Sequence, residues 1–471
     1  MQLPTTIEEC HTLLLKQAGV IDVLMKRIEE LERRLEQNSR NSHKPPSSDG
    51  LHKKPAFPRS KGGKRGGQTG HKGNTLKMVA QPDRIEECSV KVCSCGADLS
   101  SSDWQVKERR QVFDLPEPKL EVTEYKLLQC LCPCCGKEVK GAFPDTVAAP
   151  VQYGNGVKAL VALLSSGYHL SYQNIQQLFG DLFGHGLNEN TMLHANEQCY
   201  TGLESSHQVI RKAIEESAVN HVDETGHRVA GKLQWLHVAS NADYTYLFSH
   251  AKRGKEALQS EGSALPAMRG HAVHDCWSSY FTFQDCQHAL CGAHLLRELT
   301  ALTERGSQWA GSMHALMLRM YKASDYGKGI LKDPLPFLQQ YDQICQRGQL
   351  EEPMPQIKVT GLARPGLARP GRPKKTKGRN LLERFIQHKE AITAFALDKF
   401  VPFTNNQAER DLRPAKVKQK VSGCFRTTSG AKRYARIQSF ISTARKQGEQ
   451  VFQQLNEAFS GNTFLTKSQV T

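Results

Sequence analysis

Three acidic side chains could do chemistry together if folding brings them within reach of one another. Asp223 lies in "HVDETGHRV", Asp275 follows in "GHAVHDCWSSY" 52 residues later, and Glu409 stands in "FTNNQAERDLRPAKVKQKVSG" a further 134 residues on. Taken alone, a carboxylate is most often a solvated surface acid or half of a structural ion pair. Three of them can hold two magnesium or manganese ions roughly 4 Å apart, one activating an attacking oxygen and the other stabilising the leaving oxygen of an in-line displacement at phosphorus. Hard oxygen ligands suit magnesium, which keeps part of its water and takes substrate phosphate as a further ligand. Asp223, Asp275 and Glu409 are therefore the expected catalytic and magnesium-binding residues.

Bringing them together is a task for the elements that carry them. "AVNHVDE", "KLQWLHVASN" and "YTYLFSH" are short, rich in β-branched and aromatic residues, and bounded by Gly, Asn and Asp, so they predict adjacent antiparallel strands. "RGKEALQSE" predicts a helix, "GHAVHDCWSSY" a strand ending at Asp275, and "HALCGAHLLRELTAL" a strand running into a helix. Strand, strand, strand, helix, strand, helix, strand is the order of a ribonuclease H-like α/β core, whose first and fourth strands lie side by side. Acids at the ends of those two strands would meet. Glu409 then belongs on a later helix, with "NN" as its start signal. Arg410, Arg413, Lys416, Lys418, Lys420, Arg426, Lys432 and Arg433, on and after that helix, are expected to bind DNA phosphates; a solvated basic face is the alternative. His221, His227 and His274 flank the acids and are expected to be hydrogen-bonded neighbours. Cys291 and His294, in "CGAH", are expected to pack beside the site or support it rather than hold a metal.

The 471 residues carry a net charge of +16 and 38% hydrophobic side chains, enough for several domains and at least one true core. Excess Lys and Arg favour a polyanionic partner, because each cation that neutralises a phosphate releases a condensed counterion. Nucleic acid leads, with anionic membrane behind it. Neither a signal-peptide pattern nor an apolar run of about 20 residues is present, so a soluble cytoplasmic protein is expected. Fourteen cysteines, several of them closely spaced, favour metal binding over disulfides. Cys93 and Cys95 in "VCSCG" form one knuckle; the other, "CLCPCCG", begins 35 residues after Cys95 and supplies Cys132 and Cys135. Four thiolates would make a tetrahedral zinc site, although Cys93 and Cys95 are one residue closer than the favoured C-x-x-C and Cys88 could substitute. Unligated cysteines are the alternative. "RRQVFDLPEPKLEVTEYKLLQC", between the knuckles, predicts two strands.

These readings divide the chain into a multidomain α+β protein. Residues 1–38 are an N-terminal helix in which Ile21, Leu24, Ile28, Leu31 and Leu35 repeat every three or four positions, the seam of a coiled coil and of self-association, or of an amphipathic helix packed on its own domain. Residues 39–84 are a disordered basic linker and 85–145 a zinc-ribbon-like DNA-binding domain. Residues 146–215 are a helical segment with a candidate helix-turn-helix across "GLNEN". The ribonuclease H-like core occupies 216–296 and resumes at 381–460 with the Glu409 helix. Between its halves, 297–380 hold an α-helical insertion and a basic low-complexity linker with a repeated Ala-Arg-Pro-Gly unit. Residues 461–471 are a tail.

"HVDETG", "HDCWSSY", "CGAHLLREL" and the long "NNQAERDLRPAKVKQKVSGCFRTTSGAKRYARIQSFISTARKQG", with "NSHKPPSSDG" and "GGQTGHKG" near the start, together resemble the transposases of the insertion sequence 66 family. That resemblance covers nearly the whole chain. It implies a DDE-type enzyme of a bacterial mobile element that binds terminal inverted repeats and target DNA, cuts and joins strands, and uses Asp223, Asp275 and Glu409 as its metal-binding triad. It also implies small accessory proteins encoded by the same element and a nucleoid-associated location. A related nuclease that cuts without joining, or a zinc-ribbon DNA-binding regulator that keeps the fold alone, would share these features.

Overall fold

The computed structural model describes residues 6–35, 37–38, 41–42, 76–355 and 375–467. Most of the basic linker, the Ala-Arg-Pro-Gly repeat and the end of the tail lie outside the described residues. Helix α1 (Ile7–Leu35) is continuous over 29 residues, about 43 Å at 1.5 Å per residue. Its seam residues Ile21, Leu24, Ile28, Leu31 and Leu35 are all exposed, from 46% at Leu31 to 85% at Leu35. Among the described residues, this stripe is not buried against the helix's own domain. No described helix is long and apolar enough to cross a membrane.

Residues 76–153 carry little regular structure. β1 (Gln129–Leu131) and β2 (Glu138–Lys140) pair antiparallel across the second cysteine knuckle, and a single bridge joins Val92 to Asp98 across the first. Gly96 and Gly136 adopt φ of +92° and +69°, the left-handed turn each knuckle needs and glycine permits. Of the stretch expected to give two strands between the knuckles, only its last two residues, Gln129 and Cys130, enter a strand, β1. Pro116 and Pro118 lack the N–H groups a ladder requires, and Val112, Leu115 and Val122 are exposed, with no second layer to bury an alternating face.

The helical segment comprises α2 (Asn155–Ala162), a π-helical turn through Gly167, α3 (Tyr172–Phe183), α4 (Glu189–Gly202) and α5 (Glu204–Glu215). Gly184, at φ +63°, ends α3, and Asn188 starts α4 by accepting the Asn190 N–H at 2.8 Å, so "GLNEN" is a turn as expected. Five strands follow as β3 (Val219–Val229), β4 (Lys232–Ser240), β5 (Thr245–His250), β6 (His271–His274) and β7 (Gln287–Leu290), in the sheet order β5-β4-β3-β6-β7. β3, β4 and β5 form an antiparallel meander, while β6 and β7 run parallel to β3. The short helix α6 (Lys255–Leu258) precedes β6. A single 3-10 turn at Tyr280–Thr282, in place of a full helix, connects β6 to β7.

Helices α7 (Gly292–Thr303), α8 (Gln308–Ala323), α9 (Leu335–Glu351), α10 (Lys377–Gln387) and α11 (Lys389–Leu397) share a core around Trp309, Tyr341 and Phe385 that meets the β6–β7 side of the sheet. α12 (Asn406–Ser422) and α13 (Thr428–Lys446) cover Leu236, Val238 and Leu247 with Ala408, Leu412, Ala415 and Tyr434. α14 (Val451–Ala458) and α15 (Phe464–Lys467) close a third core with α2 and α5. The result is a mixed α+β architecture. α13 lies along the outer edge of β5, where Ser439 Oγ accepts the Leu247 N–H at 2.8 Å and Thr443 Oγ1 accepts that of Thr245 at 3.1 Å. Those donors would otherwise be left open by the ladder. Lys446 Nζ donates to Asp411 Oδ2 at 2.8 Å and also to the carbonyls of Asn241 and Tyr244, joining α12, α13 and the β4–β5 turn in one buried knot.

Candidate active site

Parallel pairing sets two of the three acids side by side. β3 and β6 are in register with an offset of 52 residues, Val219 opposite His271 and His221 opposite Val273. Asp223 and Asp275 are separated by the same offset: Asp223 lies within β3, two residues past its last pairing with β6, and Asp275 directly follows β6, so continuing the register by two residues sets them opposite one another, where neighbouring backbones run about 4.8 Å apart. Glu409 comes from the first turn of α12, whose start is pinned to β3 by Asn405. Buried Asn405 donates from Nδ2 to Val222 O at 2.9 Å, meets His221 Nδ1 through Oδ1 at 2.9 Å, and donates its own N–H to Cys291 Sγ at 3.1 Å. A close approach completes the anchor. The Gly292 N–H donates to Phe403 O at 2.8 Å, and a Cβ at Gly292 would stand 2.3 Å from the Phe403 ring. His294 Nε2 lies 3.9 Å from Glu409 Oε1.

Charge follows from this geometry. Burial, then the charges of Glu224, Asp275 and Glu409, push the Asp223 carboxyl well above the usual carboxylate range, against a hydrogen bond from the Glu224 N–H that favours ionisation. Among the described residues, none of the three acids is paired with a Lys or Arg. Surplus negative charge of this kind suits a divalent cation, but no group of three or more described His, Cys, Asp or Glu side chains is close enough as it stands to hold one. A raised folded pKa means that the native state keeps a proton the unfolded chain has released, so stability is lost as pH rises through the folded value. Cation-free protein is therefore expected to gain stability as pH falls from 8 toward 5. Asp223→Asn should raise its melting temperature by a few degrees at neutral pH and flatten that slope, as thermal scans in a chelator would read.

Around the acids, the three histidines are hydrogen-bonded neighbours: His221 to Asn405, His227 to Ser249 at 3.1 Å, and His274 to His288 at 3.1 Å. Cys291 is buried and supports the Asn405 backbone. Cys276, directly after Asp275, holds φ +76°, a strained conformation for a non-glycine residue at the turn that aims the acid. Sequence reasoning missed Glu224 and Asn405 as supports. Strand alternation would have separated Glu224 from Asp223, since successive side chains point to opposite faces. The paired asparagines were visible only as a helix start.

Six of the eight basic residues expected to meet DNA, Arg410, Arg413, Lys416, Lys420, Arg426 and Lys432, are exposed. Lys418 and Arg433 depart from that expectation. Lys418 lies over the Phe425 and Tyr434 rings and donates to Ser165 O at 3.2 Å, and burial pushes its pKa down to about 8. Arg433 pairs with Glu197 at 3.1 Å with 15% of its side chain exposed. Both brace α12 and α13 against the helical segment. In the knuckles, hydrogen bonds from Cys95 hold the Cys93 thiol below its ordinary range, and hydrogen bonds from the Cys135 and Cys134 backbones and the Cys135 side chain do the same for Cys132. Each pair is close, but Cys93, Cys95, Cys132 and Cys135 are not gathered into one group among the described residues.

Residues 150–433 match the family described as Transposase IS66 family, and residues 4–77 match a family of unknown function (DUF6444). No curated protein matches the chain. The first match covers more than half of the sequence and includes Asp223, Asp275, Glu409 and every strand of the five-stranded sheet. The chain belongs to the IS66 transposase family.

Proposed function

We propose that this transposase binds the terminal inverted repeats of a bacterial insertion sequence and carries out metal-dependent strand cleavage and strand transfer at Asp223, Asp275 and Glu409, on a ribonuclease H-like core. The observation that supports the reading is the β3–β6 register, which, continued by two residues, sets Asp223 opposite Asp275, with Asn405 holding the Glu409 helix against the same strand. Asp223, Asp275 and Glu409 would together hold magnesium or manganese, which would supply the Lewis acidity for in-line displacement at phosphorus. The chain's own residues hold two of the carboxylates on neighbouring strands, Asp223 within β3 and Asp275 just after β6, and exposed Arg410, Arg413, Lys416 and Lys420 neutralise the DNA backbone nearby. One site serves both hydrolysis at the element end and attack by the freed 3′-hydroxyl, because each is a phosphoryl transfer that needs no covalent protein intermediate. We further assign the exposed α1 seam to self-association of the transposase on DNA, and the paired knuckles to structural zinc taken up by a DNA-binding ribbon. Small accessory proteins of the same element complete the partners in this reading.

A pre-cut element end bearing a free 3′-hydroxyl, mixed with supercoiled target and magnesium, is expected to yield joined products that a chelator abolishes. Cutting without joining would leave a nuclease, and tight end binding with no reaction would leave a regulator. Either result overturns the proposal.

A further inference from the structure

Alternation along β3 sends Glu224 to the face opposite Asp223, and that side chain is only 2% exposed. Tyr280 donates its hydroxyl to Glu224 Oε2 at 2.5 Å, while Arg253 Nε and Nη2 reach Oε1 at 2.8 and 2.6 Å. The Arg253 guanidinium also lies between two indoles, 4.9 Å from the Trp235 ring and 4.4 Å from the Trp277 ring. Trp277 is tied to the acids, since its backbone N–H donates to Asp275 Oδ1 at 3.0 Å. Yet the arginine is not consumed by these contacts. Its side chain is 41% exposed, and among the described residues Nη1 has no hydrogen-bond partner.

A buried carboxylate thus aims one edge of the fork, two aromatic rings fix its plane, and the opposite edge is left open, one of those rings belonging to Trp277, two residues after Asp275. A free surface arginine would lose rotamer freedom on binding, whereas this one is already ordered. The planar fork matches phosphate oxygens in a way a lysine cannot. Lys252 and Lys255 flank it in the chain and are exposed, adding to the positive potential.

We propose that Arg253 is a phosphate-binding residue of this site, its outer guanidinium edge taking a non-bridging oxygen of a DNA phosphate adjacent to the one being cut. Glu224, Tyr280, Trp235 and Trp277 are its positioning residues. The inference rests on the reading of Asp223, Asp275 and Glu409 as the reacting centre.

Arg253→Lys keeps a cation opposite Glu224 but removes the second edge. It is expected to lower kcat/KM for magnesium-dependent cleavage of an element-end duplex at least tenfold with an unchanged melting temperature. The double variant Glu224→Gln/Arg253→Met, which leaves no lone buried charge, should reduce the slope of log affinity against log salt by about one, the signature of one lost phosphate contact. Wild-type cleavage by Arg253→Lys, with Asp223→Asn inactive, overturns this inference and spares the carboxylate assignment. Cleavage by Asp223→Asn sinks the carboxylate assignment instead, and the salt slope of the double variant then decides the Arg253 contact: an unchanged slope refutes it.

Discussion

Asp223→Asn, Asp275→Asn and Glu409→Gln are each expected to cut strand cleavage by at least roughly a thousandfold, about 4 kcal/mol of barrier, while binding to element ends persists. Each change removes one negative oxygen from a set that must neutralise divalent cations, yet leaves the size of the side chain and the fold intact. The losses should not add when two are combined, because residues that act as a unit are lost as a unit. End-labelled duplexes in magnesium would report cleavage, and mobility shifts would report binding. A single variant cutting within tenfold of wild type would remove that residue from the site.

Asp411→Ala is expected to be the costliest single change to the fold among those considered, destabilising it by roughly 3–5 kcal/mol. It would leave Lys446, whose side chain is 12% exposed, with a positive charge and only the Asn241 and Tyr244 carbonyls to face. Burial already lowers the Lys446 pKa, and Asp411 is the main group opposing that shift. Replacing both partners, as Asp411→Leu with Lys446→Met, should restore most of the loss, because no isolated charge remains inside. Urea unfolding of the single and double variants measures the difference. Equal midpoints for Asp411→Ala and wild type would show that the pair contributes nothing.

Much of the five-stranded sheet was legible because its strands are marked locally: β-branched and aromatic runs, stopped by Gly, Asn or Asp, read the same whatever surrounds them. The adjacency of Asp223 and Asp275 followed from element order alone. What lay hidden depended on tertiary neighbours. Lys418 and Arg433 sit in a stretch so basic that composition pointed it outward, but α12 and α13 are covered on several sides and periodicity does not say which cation turns inward. Arg253 opens a segment that reads as an ordinary helix, and only the folded chain brings Trp235 and Trp277 to its two faces. The stretch between the knuckles failed in the opposite sense, since its alternation promised strands that found no partner. Ser439 and Thr443, which the sequence did not single out, accept backbone N–H groups at the edge of β5.

That last arrangement limits how copies of the transposase can assemble. An edge strand with two of its outward backbone donors, those of Thr245 and Leu247, taken by hydroxyls is a poorer template for a neighbouring strand to continue. Ser439 and Thr443 lie after residue 433, where the family match ends. A chain trimmed at residue 433 would therefore expose those two donors and the β5 edge that carries them.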